Sequence, residues 1–123
     1  MSNNAVGWFE IYVQDVTRSK AFYEGVFQVS LQKLNSAEIE MWAFPMNMEG
    51  TGAAGSLVRM PGLASGGNST IVYFSCRDCA VEESRVATHG GRVDRPKMSI
   101  GEYGFISLVY DTEGNMIGLH STQ

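Results

Sequence analysis

The chain has little histidine, cysteine or proline: two, two and three residues among 123. Two cysteines cannot build a disulfide framework, and as a single "CRDC" at 76–79 they lack the second pair a structural zinc site needs. No apolar run approaches the roughly 20 residues that cross a bilayer. The opening "MSNNAVG" has neither the charged nor the apolar region of a signal peptide. These absences predict a cytoplasmic protein without a membrane partner. Basic residues are few and scattered, nine Lys and Arg against 13 Asp and Glu for a formal net charge of −4, which argues against a nucleic-acid partner. Gly-rich phosphate loops, Ser-His-Asp sets, "HExxH" and the Rossmann fingerprint are all missing.

What is present is patterned. Hydrophobic residues make up 44% of the chain, enough for the core of one domain spanning 1–123. In "WFEIYV" at 8–13, Phe9, Ile11 and Val13 share one face and Trp8, Glu10 and Tyr12 the other, which predicts a half-buried strand. Asp15 or Thr17 can cap a following helix in which Ala21, Phe22, Val26 and Phe27 recur at helical spacing. "SLQKL", "EIEMWAF" and "GSLVRM" then predict three strands, so residues 7–60 read as β-α-β-β-β.

The Gly/Pro/Ser stretch "PGLASGGNS" at 61–69 reads as a linker, and after it the pattern restarts. "TIVYFSCRD" is a strand ending at Asp78, "CAVEESRVATHGG" a helix stopped by Gly90 and Gly91, and "GRVDRPKM", "EYGFISLVYD" and "NMIGLHS" three further strands. Residues 70–121 are therefore a second β-α-β-β-β module. Ile11 and Phe74, Val13 and Cys76, and Asp15 and Asp78 each stand 63 residues apart. The expected fold is α+β: two βαβββ modules in tandem, their helices covering one face of U-shaped sheets and a cleft left on the other.

The pieces "D-x-x-x-S-x-x-F-Y" (Asp15, Ser19, Phe22, Tyr23) and "D-x-E-G-N-x-x-x-L" (Asp111, Glu113, Gly114, Asn115, Leu119) resemble the vicinal oxygen chelate superfamily, which includes glyoxalase I, bleomycin-resistance proteins and extradiol dioxygenases. The resemblance covers nearly the whole chain. It implies a paired βαβββ fold, usually a homodimer, with a divalent ion held in the cavity of the metal-dependent members by residues of the first and last strands of each module. Carried over by position, the ligand places fall on Trp8, Ile71, Gly118 and Gly55, or Ser56 if the repeat slips by one. Indole is a donor only, and glycine and isoleucine have no ligand atom. The resemblance therefore implies no cofactor here, with a divalent metal disfavoured.

Strand parity points Glu10 and Tyr12 into the cleft with Trp8, and Tyr73 with Ile71, while Met116 and His120 share a face with Gly118. Glu10 in apolar surroundings and the imidazole of His120 are the candidates for acid/base or polar contact with a ligand. Trp8, Tyr12, Trp42, Tyr73, Tyr103 and Phe105 are the candidate ligand-binding aromatics. Trp42 could equally be core, and Tyr103 and Phe105 are expected together on a far wall beside Gly101 and Gly104. Cys76 takes the core-facing place of Val13, so "CRDC" reads as structural rather than redox-active, and His89 as a helix-end residue.

Three functions compete. The first is metal-free binding of a small organic ligand, the aromatic walls suiting a flat molecule and the acidic balance a cationic one. The second is a glyoxalase-like lyase or dioxygenase-like enzyme, either with metal donors relocated to Glu10, Glu40 and His120 or working by acid/base chemistry alone. The third is an interaction scaffold with no ligand.

Overall fold

A computed structural model of the protein describes residues 4–34 and 39–123. The first half contains β1 (Glu10–Tyr12), α1 (Val16–Phe27), β2 (Gln32–Leu34), β3 (Glu40–Ala43) and β4 (Ser56–Arg59). The second contains β5 (Tyr73–Ser75), α2 (Cys79–Val86), β6 (Arg92–Ser99), β7 (Phe105–Tyr110) and β8 (Met116–Ser121), with 3-10 turns at Ala87–His89 and Gly101–Tyr103. Each half forms a four-stranded sheet, in the orders β1-β4-β3-β2 and β5-β8-β7-β6. The first and last strands of each half pair parallel, and the remaining pairs are antiparallel. This is the expected α+β pair of βαβββ units.

The strands are shorter than the alternating patterns predict: β1 pairs over three residues rather than six, and β5 over three of the nine in "TIVYFSCRD". Extended chain continues beyond the ladders, with the Phe9 carbonyl still accepting from the Ser56 N–H at 3.0 Å. Glu38, at the start of the predicted "EIEMWAF" strand, lies outside the described residues. Asp15, not Thr17, caps α1, its carboxylate accepting from the Arg18 N–H at 3.0 Å; Asp78 caps α2 in the same way through Ala80. Pro96 sits in β6, an edge strand whose register shifts twice, a place where a missing N–H costs no ladder bond and the edge is blunted.

Both helices cover the same side of the molecule. Ile11, Val13 and Leu57 lie under Val16, Phe22, Tyr23 and Val26, and Val109, Ile117 and Leu119 belong to the same buried cluster with Cys79 and Val86. Neither module closes a core by itself; together they share one. Aromatic rings bridge the seam, with Phe27 stacked on Phe74 at 4.4 Å and Tyr23 tilted against Phe74 at 5.9 Å.

A buried polar latch completes the union. The Glu113 carboxylate, from the β7–β8 turn, accepts from the backbone N–H groups of Gln14 (2.9 Å) and Asp15 (3.0 Å), from the Arg18 guanidinium (2.7 and 3.0 Å) and from the Thr112 hydroxyl (2.8 Å). Burial opposes its charge, yet the Arg18 bond and the other donors outweigh that and hold the carboxyl at about 2. Asp111 accepts from the buried Tyr23 hydroxyl at 2.7 Å, and Asn115 donates to the Tyr12 carbonyl at 3.0 Å. Burial and the Asp111 charge push the Tyr23 phenol well above its ordinary value. The two sequence pieces that suggested the superfamily are thus the two halves of one hydrogen-bonded clasp.

Candidate functional site

The face of the sheets away from the helices carries the candidate site. The register aligns Glu10 with Ser56 and Ala43, and Tyr12 with Val58 and Met41, so these six share that face in the first sheet. In the second sheet it carries Tyr73, Gly118 and Leu108, then Ser75, His120 and Ile106, with Met116 and Tyr110 at the far end. Ile71 and Tyr73 are 37% and 47% exposed there, and Trp8 is 36% exposed.

Between β1 and the start of β8 lies a cavity of about 260 Å³ lined by Glu10, Tyr12, Asn68, Asn115 and Met116, with Gly66 and Thr70 of the connecting segment. The Tyr12 hydroxyl donates to Glu10 Oε1 at 2.7 Å. That hydrogen bond, followed by burial and the Glu10 charge, raises the phenol above its ordinary value, so Tyr12 keeps its proton and acts as a donor. The cavity wall is braced from behind: Asn68 donates to the Met116 carbonyl at 2.7 Å and accepts from the Met116 N–H at 3.1 Å, extending the ladder of β8 with a side chain. Gly66 donates to Asn115 Oδ1 at 2.6 Å.

A family model for the Glyoxalase/Bleomycin resistance protein/Dioxygenase superfamily matches residues 5–119. The chain belongs to that superfamily. No curated protein matches the sequence. Among solved structures, an antibiotic-binding protein from Streptomyces superposes with a TM-score of 0.73 at 22% identity, covering 100% of this chain and 99% of the other. A glyoxalase I variant from Zea mays gives 0.75 at 19% identity over 94% of this chain, but this chain spans only 45% of the maize enzyme. A glyoxalase-related enzyme from Fulvimarina pelagi gives 0.68 at 19% identity, covering 97% and 88%. At these identities the likeness is one of fold.

Within the superfamily frame, the four metal-ligand positions can now be placed. Tyr73 pairs with Gly118 and Glu10 with Ser56, so the repeat is 63 residues at the first strand and 62 at the last. The equivalent of Gly118 is therefore Ser56, and Gly55 must be corrected: its Cα faces Phe9 on the helix side. Ser56 Oγ is buried without a partner. Above Gly118 the space is filled by the Tyr73 ring, which any side chain at 118 would meet. Trp8 and Ile71 complete the set, and among the described residues no three His, Cys, Asp or Glu side chains converge as metal ligands do. The residues at these positions do not fit a metal.

The other sequence candidates divide. His120 lies on the cleft face, its Nε2 2.7 Å from the Tyr103 carbonyl, which ties it to the 3-10 turn; it is not among the residues lining the Glu10 cavity. Tyr103 is in that turn, 70% exposed, and Phe105 is on the opposite face with Lys97 over its ring at 4.7 Å, so the two form no common wall. Trp42 aligns with the buried Leu57 and faces α1, with Lys20 4.7 Å above its ring and its Nε1–H donating to Glu40 at 3.3 Å. Glu40 shares that face and is separated by the sheet from Glu10 and His120. The relocated metal set of Glu10, Glu40 and His120 is not assembled.

Cys76 and Cys79 are both free thiols. Burial above all, aided by the Glu82 charge, pushes the Cys76 thiol up to about 12, which leaves it protonated and inert toward exchange. Sequence reasoning missed Asn68 and Asn115 as cavity residues. Asn68 sits in a stretch whose composition reads as loose linker, and no periodicity marks a side chain that substitutes for a strand.

Proposed function

We propose that the chain binds a small organic molecule on the helix-free face, anchored by the Glu10–Tyr12 pair, without the metal of the superfamily's metal-dependent members. The observation that carries this is the hydrogen-bonded Glu10–Tyr12 pair in a concave, mostly apolar cavity, the arrangement of few polar groups in an apolar cleft that fixes a ligand's orientation. The full-length match to an antibiotic-binding protein supports a binder. Glu10 accepts from a cationic or N–H group, and the protonated Tyr12 holds the carboxylate in place. A second copy of the chain covers the exposed Ile71, Tyr73 and Met98 of the same face, giving a cytoplasmic homodimer whose cleft is deeper than one copy provides.

The test has two arms. Thermal shifts against a panel of aromatic and cationic small molecules should find stabilisers, and Glu10→Gln should weaken their effect about tenfold or more. An unchanged effect in Glu10→Gln rejects the anchor. Metal analysis of the purified protein should find no stoichiometric divalent ion; one that is lost on Glu10→Gln would instead favour a lyase-like or dioxygenase-like enzyme. Light scattering on a sizing column should give twice the chain mass, and a monomer would reject the second copy.

A further inference from the structure

A second cleft opens on the helix side, at the seam between the modules. It has a volume of about 360 Å³, and its lining includes Phe9, Phe27, Phe44 and Phe74 together with Glu82. The rings form a continuous surface: Phe9 lies 6.1 Å from Phe44 and 6.2 Å from Phe74, and Phe27 stacks on Phe74 at 4.4 Å. Into this aromatic wall α2 sets one carboxylate. Glu82 Oε1 is buried and has no N–H or O–H donor, and among the described residues no lysine or arginine lines the cleft. The neighbouring Cys76 thiol offers the carboxylate only a weak S–H donor and no positive charge.

A buried carboxylate oxygen without a strong donor is costly. Aromatic faces attract cations, and a carboxylate beside them adds a countercharge, the combination that recognises alkylammonium groups. The cleft volume suits a small molecule rather than a metal ion. We propose that this seam cleft is a binding site for organic ammonium ions, with Glu82 as the countercharge and the phenylalanine rings as the cation-accepting wall. It is separate from the Glu10 cavity, with which it shares only Phe9 and Val72.

Titration of the intact protein with choline, followed by ¹H–¹⁵N NMR, tests the assignment, with uncharged 3,3-dimethylbutan-1-ol as the isosteric control. Saturable shifts should gather at Phe27, Phe74, Ser75 and Glu82, N-methyl protons should show cross-relaxation to the Phe27 and Phe74 rings, and the neutral alcohol should bind at least tenfold more weakly. Glu82→Gln should weaken choline binding, read at the Phe74 and Ser75 amides, about tenfold. Equal binding of alcohol and choline, shifts that map to Glu10 and Tyr12, or no saturable shift at all would each overturn the proposal. The cross-relaxation data stand on the unmodified protein, so they decide the matter even if Glu82→Gln fails to fold.

Discussion

At the level of single residues, Gly118 shows what the cleft face has exchanged for a ligand. Its pairing partner Tyr73 lays its ring across the glycine, so the two are a matched pair and not two independent positions. Gly118→Ala should therefore cost about 1–3 kcal/mol in urea unfolding, the usual penalty for forcing a methyl into filled space, and increase Tyr73 exposure to solvent. Glu10→Gln makes a prediction independent of any ligand. Removing the charge and its strong acceptor should let the Tyr12 phenol fall back toward its ordinary value, visible as an earlier rise of phenolate absorbance on alkaline titration. An unchanged titration would show that the Tyr12–Glu10 bond is not formed in solution.

Among the elements, the junction between β1, α1 and the β7–β8 turn depends on Glu113. Its folded carboxyl titrates at about 2, below the ordinary 4.5, so the unfolded chain takes up a proton first as pH falls. The stability this contributes is complete above the ordinary value and is lost between it and about 2. Acid unfolding curves of Glu113→Gln should be flatter than wild type across that window, and the variant should be about 2–3 kcal/mol less stable near neutrality, because the N–H groups of Gln14 and Asp15 and the Arg18 guanidinium lose a charged acceptor. This junction was legible in advance as sequence pieces, and so were the order of elements and the cleft orientation of Glu10, Tyr12 and Tyr73. Facing was less legible elsewhere. In "EIEMWAF" both parities are apolar, Met41 and Ala43 on one side and Trp42 and Phe44 on the other, so alternation alone cannot say that Trp42 lies under α1. Between Tyr103 and Phe105, Gly104 adopts φ 105°, outside strand geometry, and parity does not carry across it.

For the whole molecule, the shared core and the Glu113–Asp111–Asn115 clasp make the modules one cooperative unit, so urea unfolding followed by tryptophan fluorescence and by circular dichroism should give a single coincident transition. Two separated transitions would mean that each half stands alone. The connecting segment contributes to the same union through side chains and not only through covalent continuity. Ser65 donates to the Glu113 carbonyl at 2.7 Å, and Gly66 and Asn68 hold Asn115 and Met116. Its exposed start, around Pro61 and Gly62, carries none of these contacts. The protein is thus suited to fragment complementation: residues 1–61 and 62–123, produced as separate chains, should find each other and rebuild the native fold, with neither fragment folding in the absence of the other.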